Sequence, residues 1–199
     1  MAAKPENVLT VLVAEGPTEE IFYGRVKEAY LAPVCSVKIE CIDGLWGVNK
    51  KILHVLATRN RERQVRAYCC LDRESRRAQV PDFDPDGIQQ ELCRKGVESV
   101  LSVDSIIATR MIESLFFYDL EGIYKYLRVP KAKRNSKAYQ PPEAFGVEDL
   151  KELFRRFGKS YQEGERARHF INQLDLPKIV ASCGALSEGI ELIVSRAGR

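Results

Sequence analysis

The first hundred residues alternate between short apolar runs and amphipathic segments. Val8 to Ala14 is almost continuously apolar, which is typical of a strand covered on both faces. Three further strands are predicted at Val34 to Ile42, Val65 to Leu71 and Val97 to Val103. Apolar residues at helical spacing predict helices at Thr18 to Tyr30, Val48 to about Arg63, and Pro85 or Asp86 to Lys95. This alternation favours βαβ units in a mainly parallel sheet.

From about residue 109 the pattern becomes helical throughout. The spacing predicts one helix over Thr109 to Leu127, then a basic stretch at Lys131 to Lys137. Further helices are predicted at 147–158, 163–174 and Leu176 to Arg196, the last with breaks at Gly184 and Gly189. We therefore expect a four-stranded α/β domain over residues 1–128, with a helical C-terminal extension over residues 129–199 packed on it.

Composition narrows the class of protein only modestly. The 199 residues are 45% hydrophobic and 30% charged, which suits a globular chain with a substantial core. A net charge of +3 permits nucleic-acid binding without arguing for it. No apolar run approaches the roughly 18 residues of a membrane span, and the N-terminus lacks a signal-peptide core, so we expect a cytoplasmic protein with no membrane partner. The six cysteines lack a CxxC pair and are expected to be mostly core residues.

Acidic residues follow the predicted strands. Glu15 comes directly after the first strand, and Asp72 and Glu74 follow the third. Right-handed crossovers place the carboxyl ends of parallel strands along one edge of the sheet, where open α/β sheets bind ligands. Glu113 follows the fourth strand and is a candidate for a further acidic residue of the same site, from a third segment of the chain. Because Mg²⁺ and Mn²⁺ prefer carboxylate and water ligands, the pattern predicts a divalent-metal site.

Simpler roles for these acids stay open from the sequence alone. Glu15 could accept backbone N–H groups at the helix start, and Glu19, one helical turn later, could either cap that helix or reach the site. Asp72 and Glu74 could belong to a solvated loop, and Glu113 could pair with Arg110 on its own helix.

Three motifs, taken in order along the chain, resemble the TOPRIM fold. Val13-Ala14-Glu15-Gly16-Pro17-Thr18-Glu19 is similar to the strand-end Glu-Gly motif, in the Glu-Gly-x-(Ser/Thr)-Glu form of the OLD-type nuclease branch. Leu71-Asp72-Arg73-Glu74 resembles the Asp-x-Asp motif, with Glu in place of the final Asp. The segment from Met111 to Asp119 is similar to a signature of small TOPRIM-like proteins of uncharacterised function, which are often paired with ATPases in defence modules. The resemblance covers roughly residues 8–128.

The resemblance implies a Mg²⁺- or Mn²⁺-dependent nuclease that cleaves phosphodiester bonds in DNA or RNA within an ATPase-linked phage-defence system. The resemblance implies that Glu15 and Asp72 are catalytic residues. It also implies that the metal ligands are Glu15, Asp72, Glu74 and Glu113, and that Glu19 lies behind these ligands without binding the metal directly. The chain has no Walker motif, so an ATPase would be a separate subunit. An oligomer is compatible with this picture. Two alternatives remain: a non-catalytic module that binds or senses a partner or nucleotide, and another metal-dependent phosphotransfer or phosphohydrolase enzyme.

Basic residues near the predicted site could hold a phosphate backbone, or could simply form a solvated surface. The candidates are Arg73, Arg76 and Arg77 after the third strand, and Lys131, Lys133 and Arg134 in the later loop. Aromatic residues near that loop are few (Tyr124, Tyr126 and Tyr139), so the sequence indicates no stacking platform for single strands.

Overall fold

A four-stranded parallel sheet forms the centre of the molecule. The computed structural model describes residues 8–59, 63–73, 83–108 and 111–197. Within these ranges the strands are β1 (Val8–Ala14), β2 (Ser36–Cys41), β3 (Gln64–Asp72) and β4 (Val100–Ala108). The sheet order is β2-β1-β3-β4, and every neighbouring pair is parallel. The α/β fold predicted from the sequence, a four-stranded parallel sheet flanked by helices, is confirmed.

Helices cover both faces of this sheet. They are α1 (Pro17–Val26), continued by a π-helical segment at Lys27–Leu31, then α2 (Val48–Arg59) and α3 (Pro85–Arg94). Val11 and Val13 of β1 pack with α2 and α3 in one hydrophobic cluster, whereas Leu12 packs with α1 and the C-terminal helices in another. Successive side chains of a strand point to opposite faces. The continuous apolar run in β1 therefore reflects burial on both sides.

From residue 112 onward the chain consists mainly of short helices, with a longer connection over residues 127–146. They are α4 (Ile112–Phe116), α5 (Leu120–Tyr126), α6 (Val147–Arg156), α7 (Arg168–Ile171), α8 (Leu176–Ser182) and α9 (Gly184–Ala197). Phe170 contacts Phe116 and Phe154 in edge-to-face pairs, with ring centroids 5.7 and 5.0 Å apart. Phe116 also meets Phe22 of α1, so this aromatic cluster is continuous with one face of the sheet. None of the helices described is long and apolar enough to cross a membrane.

The single helix predicted over 109–127 is wrong over the described residues, because a 3-10 turn at Phe117–Asp119 separates α4 from α5. Asp119 causes this break. Its Oδ1 accepts the N–H of Gly122 at 3.1 Å, which caps α5, and its Oδ2 accepts the N–H of Asp175 at 2.8 Å. Thr109 and Arg110, at the start of the predicted helix, lie outside the described residues.

Two other predicted boundaries also differ. The segment predicted as a helix over 163–174 is a 3-10 turn at Gly164–Ala167 followed by α7. The fourth strand starts and ends later than predicted, because Val97 still donates its N–H to Leu92 O at the end of α3. β4 is an edge strand, so it tolerates the polar residues Asp104 and Ser105. These residues interrupt the apolar pattern, which is why the second half of the strand was not predicted.

Gly189 is the point where α9 lies closest to β4. A Cβ atom at this position would stand 2.9 Å from two carbons of the Ile106 side chain, closer than van der Waals contact allows. The helix is not broken here, although the sequence predicted a break. The glycine instead allows the helix to approach the strand, and Gly184, the other predicted break, is the first residue of α9.

We predict that Gly189→Ala lowers the free energy of unfolding by about 1–3 kcal/mol, since overpacking against Ile106 outweighs the gain in helix propensity. Gly24→Ala is the matched control: a Cβ at this position in α1 would meet no atom within 4 Å. It should raise the free energy of unfolding by up to about 1 kcal/mol. Urea denaturation of both variants measures the difference. Stabilisation by both substitutions would contradict the proposed close approach of α9.

Candidate functional site

An acidic cleft of about 410 Å³ opens at the carboxyl ends of β1 and β3. Four acids predicted as site residues line it: Glu15, Glu19, Asp72 and Glu113. Two acids that were not predicted there, Asp43 and Glu163, join them. The structure thus brings together residues from five separate parts of the chain. Glu74, the remaining predicted ligand, lies outside the described residues.

Strand register places Glu15 beside Asp72. Ala14, the last residue of β1, is opposite Cys70 of β3, so both acids leave adjacent strands at the same edge. The Glu15 backbone is fixed from the other side, because its carbonyl oxygen accepts the N–H of Gly44 at 2.9 Å. Gly44 belongs to the loop after β2. Three neighbouring segments therefore meet at the floor of the cleft.

Asp72 is almost fully buried, with 7% of its surface exposed. Its Oδ2 accepts the backbone N–H of Ile112, the first residue of α4, at 2.9 Å. Burial raises the pKa of Asp72 well above its ordinary value, and the negative charges of Glu19, Glu15 and Glu113 raise it further. The Ile112 hydrogen bond opposes this rise without cancelling it. A carboxyl group in this position favours either a proton or a nearby cation.

Glu113 lies on α4, one residue beyond Ile112, and is also buried. Its Oε1 accepts the hydroxyl of Tyr161 at 3.0 Å. Burial raises the pKa of Glu113 to about 7, and the charges of Glu19 and Glu163 contribute to the rise, whereas the Tyr161 hydrogen bond lowers it. Arg110, the alternative partner considered from the sequence, lies outside the described residues.

Glu19 lies in the first turn of α1 and lines the cleft. Burial raises the pKa of its carboxyl group, whereas the nearby backbone N–H groups of Glu19 itself and of Gly16 lower that pKa. A Cβ atom at Gly16 would stand 3.1 Å from Glu19 Oε2, so the glycine leaves room for this carboxylate. The Glu19 side chain thus reaches the cleft from its helix.

Residues 161–164, which we call the crossing segment, bring the C-terminal extension into the site. Tyr161 reaches Glu113, and Gly164 donates its N–H to Thr18 Oγ1 at 2.8 Å. Between them, Glu163 lines the cleft and pairs with Lys151 at 3.0 Å. Sequence reasoning missed Tyr161, Glu163 and Thr18, because no local pattern connects residues almost 150 positions apart. The predicted domain boundary at residue 128 stays a prediction, but the site includes residues from both sides of it.

The basic residues predicted to contact phosphate differ in how exposed they are to solvent. Arg73 follows Asp72 and is half-buried, whereas Arg76 and Arg77 lie outside the described residues. Lys131 and Lys133 are exposed on a 3-10 turn. Arg134 is engaged within the protein, where its Nε donates to Val129 O at 2.9 Å and its guanidinium pairs with Glu121. Arg134 therefore orders its own loop.

The aromatic residues near the basic stretch at residues 131–137 also pack against other side chains. Tyr126 contacts Phe154 and Phe170, and Tyr139 stacks on Phe117 with ring centroids 5.0 Å apart. Tyr124 is buried. These rings belong to, or pack against, the hydrophobic cluster that also contains Phe116 and Phe170.

The donors in the cleft suit a hard divalent cation. Among the described residues, no three His, Cys, Asp or Glu side chains gather closely enough to form a complete ligand set. Mg²⁺ does not require one, because it commonly binds one or two carboxylates and completes its octahedron with waters and substrate phosphates. Glu15 and Asp72 lie at adjacent strand ends in one cleft.

Comparisons with known proteins return similarity to solved structures only. No family model and no curated protein sequence matches the chain. The C-terminal region of the Burkholderia pseudomallei OLD protein matches with a TM-score of 0.48 and 14% identity, covering 94% of this chain and 98% of that one. The C-terminal region of the Xanthomonas campestris pv. campestris OLD protein, phased with platinum, matches with a TM-score of 0.48 and 13% identity, covering 95% and 93%. These are the OLD-type proteins that the sequence motifs resemble. Similarity at this level concerns the fold and assigns no residue or activity.

We predict that Glu113→Gln makes the protein more stable at pH 8. The pKa of Glu113 rises from 4.5 to about 7 on folding. Between these values the unfolded chain releases its proton while the folded chain keeps it, so stability falls as pH rises, and the penalty is complete above pH 7. Glutamine removes this penalty, worth about 3 kcal/mol. It can still accept the Tyr161 hydroxyl.

Urea denaturation at pH 4 and pH 8 tests this prediction, because the gain should be present at pH 8 and nearly absent at pH 4. Glu91→Gln is the contrasting variant, since hydrogen bonds from Arg94 lower the pKa of Glu91 to about 2. Its small contribution is present above pH 4.5 and is lost as pH falls, so the substitution should slightly destabilise the protein at pH 8. An equal effect of Glu113→Gln at both pH values would show that Glu113 is not held in this environment.

Proposed function

We propose that this protein is a Mg²⁺- or Mn²⁺-dependent nuclease that cleaves phosphodiester bonds in DNA or RNA. The observation that carries the proposal is the cleft at the ends of β1 and β3, where Glu15 and the buried Asp72 lie among further acids. A structural surface would have little reason to collect carboxylates that raise one another's pKa. A cation would remove that repulsion on binding.

In this proposal Glu15 and Asp72 hold the ion. When bound, the ion would activate a water molecule and stabilise the charge that develops on the phosphate. Ile112 fixes the position of Asp72 through its backbone N–H, and Gly44 fixes the backbone of Glu15. The Asp72 carboxylate is thus held by the first residue of α4, and the Glu15 backbone by the loop after β2.

Glu113 differs from these two residues in that it can exchange a proton near neutral pH. With its pKa at about 7, its carboxyl group can take up or release a proton under neutral conditions, as a general acid or base must. Tyr161 holds one carboxyl oxygen and so limits the rotation of the side chain. We propose that Glu113 serves proton transfer at the edge of the metal site as well as, or instead of, direct ligation.

The finer predictions from the sequence resemblance belong to the same proposal. They are a separate ATPase subunit, a role in phage defence, a cytoplasmic location and metal ligation by Glu74. The exposed Lys131 and Lys133 remain candidates for phosphate contacts, whereas Arg134 is tied to Glu121 and Val129. Binding of a long polyanion by such residues would weaken with increasing salt.

We predict that Asp72→Asn and Glu15→Gln each reduce Mn²⁺-dependent cleavage of labelled single-stranded and double-stranded DNA and RNA by at least about 100-fold. Loss of a residue that only hydrogen-bonds to a metal ligand commonly reduces metal affinity or activity about 10- to 100-fold, and loss of a direct ligand should reduce activity more. Glu20→Gln is the matched control, since Glu20 is exposed and lines a separate groove beside α1. It should retain activity.

Thermal unfolding gives a second readout that does not depend on turnover. Mn²⁺ should raise the melting temperature of the wild type and of Glu20→Gln, but not that of Asp72→Asn. Without metal, Asp72→Asn should be at least as stable as the wild type, because it loses a buried acid and can still accept the Ile112 N–H. Cleavage that survives in both Asp72→Asn and Glu15→Gln would refute the nuclease proposal. Binding of a nucleotide or partner that persists in chelator would favour the non-catalytic alternative.

A further inference from the structure

Trp46 is the most exposed large hydrophobic side chain among the described residues. It is 92% exposed, whereas the others in this group, Val34, Leu101 and Val194, are 37–41% exposed. A Trp ring can bury about 150–250 Å² on contact with a partner. Surface left in water contributes nothing to folding, so the ring is available for contact with another molecule.

The loop that carries Trp46 is ordered by its backbone. Asp43, Gly44 and Gly47 all adopt positive φ angles, of 54°, 87° and 66°, and glycine is the residue that tolerates such angles without strain. Lys51 Nζ donates to the carbonyl oxygens of Asp43 and Gly44 at 2.6 and 3.0 Å. The base of the loop is therefore held from within the protein, while the ring projects outward.

This loop is attached to the acidic cleft. Asp43 and Gly44 line the cleft, and Gly44 donates its N–H to the carbonyl oxygen of Glu15. Trp46 is only two residues further, which limits the distance between the Gly44 and Trp46 Cα atoms to about 7.6 Å. The exposed ring thus belongs to a loop that borders the site proposed to hold the scissile phosphate.

We propose that Trp46 stacks on an unpaired nucleobase adjacent to the scissile phosphodiester, so that the substrate is nucleic acid with unpaired bases at the cleavage point. The inference rests on the proposed nuclease function for the location of the phosphate. A base offers a flat face of matching size whatever its identity, which suits a single ring that lacks polar partners for readout. A protein partner would normally need a wider apolar patch, whereas this loop presents one ring between glycines and a half-buried Leu45.

The chain contains one tryptophan, so its fluorescence reports on Trp46 alone. The test compares a 12-nucleotide oligothymidylate with an abasic strand of equal length and charge, in Ca²⁺ instead of Mg²⁺. The base-bearing strand should quench the fluorescence and bind the wild type more tightly than the abasic strand does. Anisotropy of labelled strands should show that Trp46→Ala weakens binding of the base-bearing strand about 5- to 150-fold, and removes the difference between the two strands.

Two further variants sharpen the result. Trp46→Phe keeps an aromatic ring and should bind with intermediate affinity, whereas Val194→Ala, on the exposed side of α9, should bind like the wild type. Equal binding of the two strands by the wild type, or unchanged binding by Trp46→Ala, would overturn the inference. Dissociation of an oligomer by Trp46→Ala in sedimentation equilibrium would also overturn it, because the ring would then serve a protein interface.

The two proposals can fail separately. If the wild type cleaves nucleic acid with Mn²⁺ but Trp46→Ala binds both strands normally, only the stacking role is wrong. If no metal supports cleavage but Trp46 still discriminates between base-bearing and abasic strands, the nuclease proposal fails and the nucleobase contact stands as a binding function.

Discussion

The hydrogen bond from the Ile112 N–H to Asp72 Oδ2 is the interaction on which the site depends. It joins the end of β3 to the first turn of α4, and it does so in a buried position where an unpaired carboxylate would be costly. Because Glu113 follows Ile112 directly, the same bond sets where the next acid stands. Without it, the strand-end acid and the helical acid would have no fixed relation, and the cleft would be a loose collection of charges.

The rest of the fold stabilises an arrangement that is unfavourable in itself. Several carboxylates share one cleft, and burial raises the pKa of three of them, Asp72, Glu113 and Glu19. The two hydrophobic clusters on either side of β1 supply the compensating stability. Protein sites that store such repulsion are commonly functional, since a ligand of opposite charge can relieve it.

The sequence predicted the sheet well because its signals are local. Continuous apolar runs mark strands that are buried on both faces, and Glu15 and Asp72 follow β1 and β3 directly, so parallel topology alone brings them together. Features that depend on contacts between distant parts of the chain could not be predicted in this way. Asp119 interrupts a helical pattern through a bond to Asp175, and Tyr161 joins the site through Glu113, neither of which is visible in a local window. The exposure of Trp46 likewise cannot be predicted from the spacing of apolar residues.

The crossing segment has a consequence for the order in which the protein matures. A chain is made from its N-terminus, and the strand-end acids are synthesised well before Tyr161 and Gly164. Until those residues arrive, Glu113 lacks its hydroxyl partner and Thr18 lacks the Gly164 N–H. An unfinished chain therefore carries its acids without the wall that shields them from water. The site therefore gains its buried character only after residues 161–164 have been made and have packed against Glu113 and Thr18.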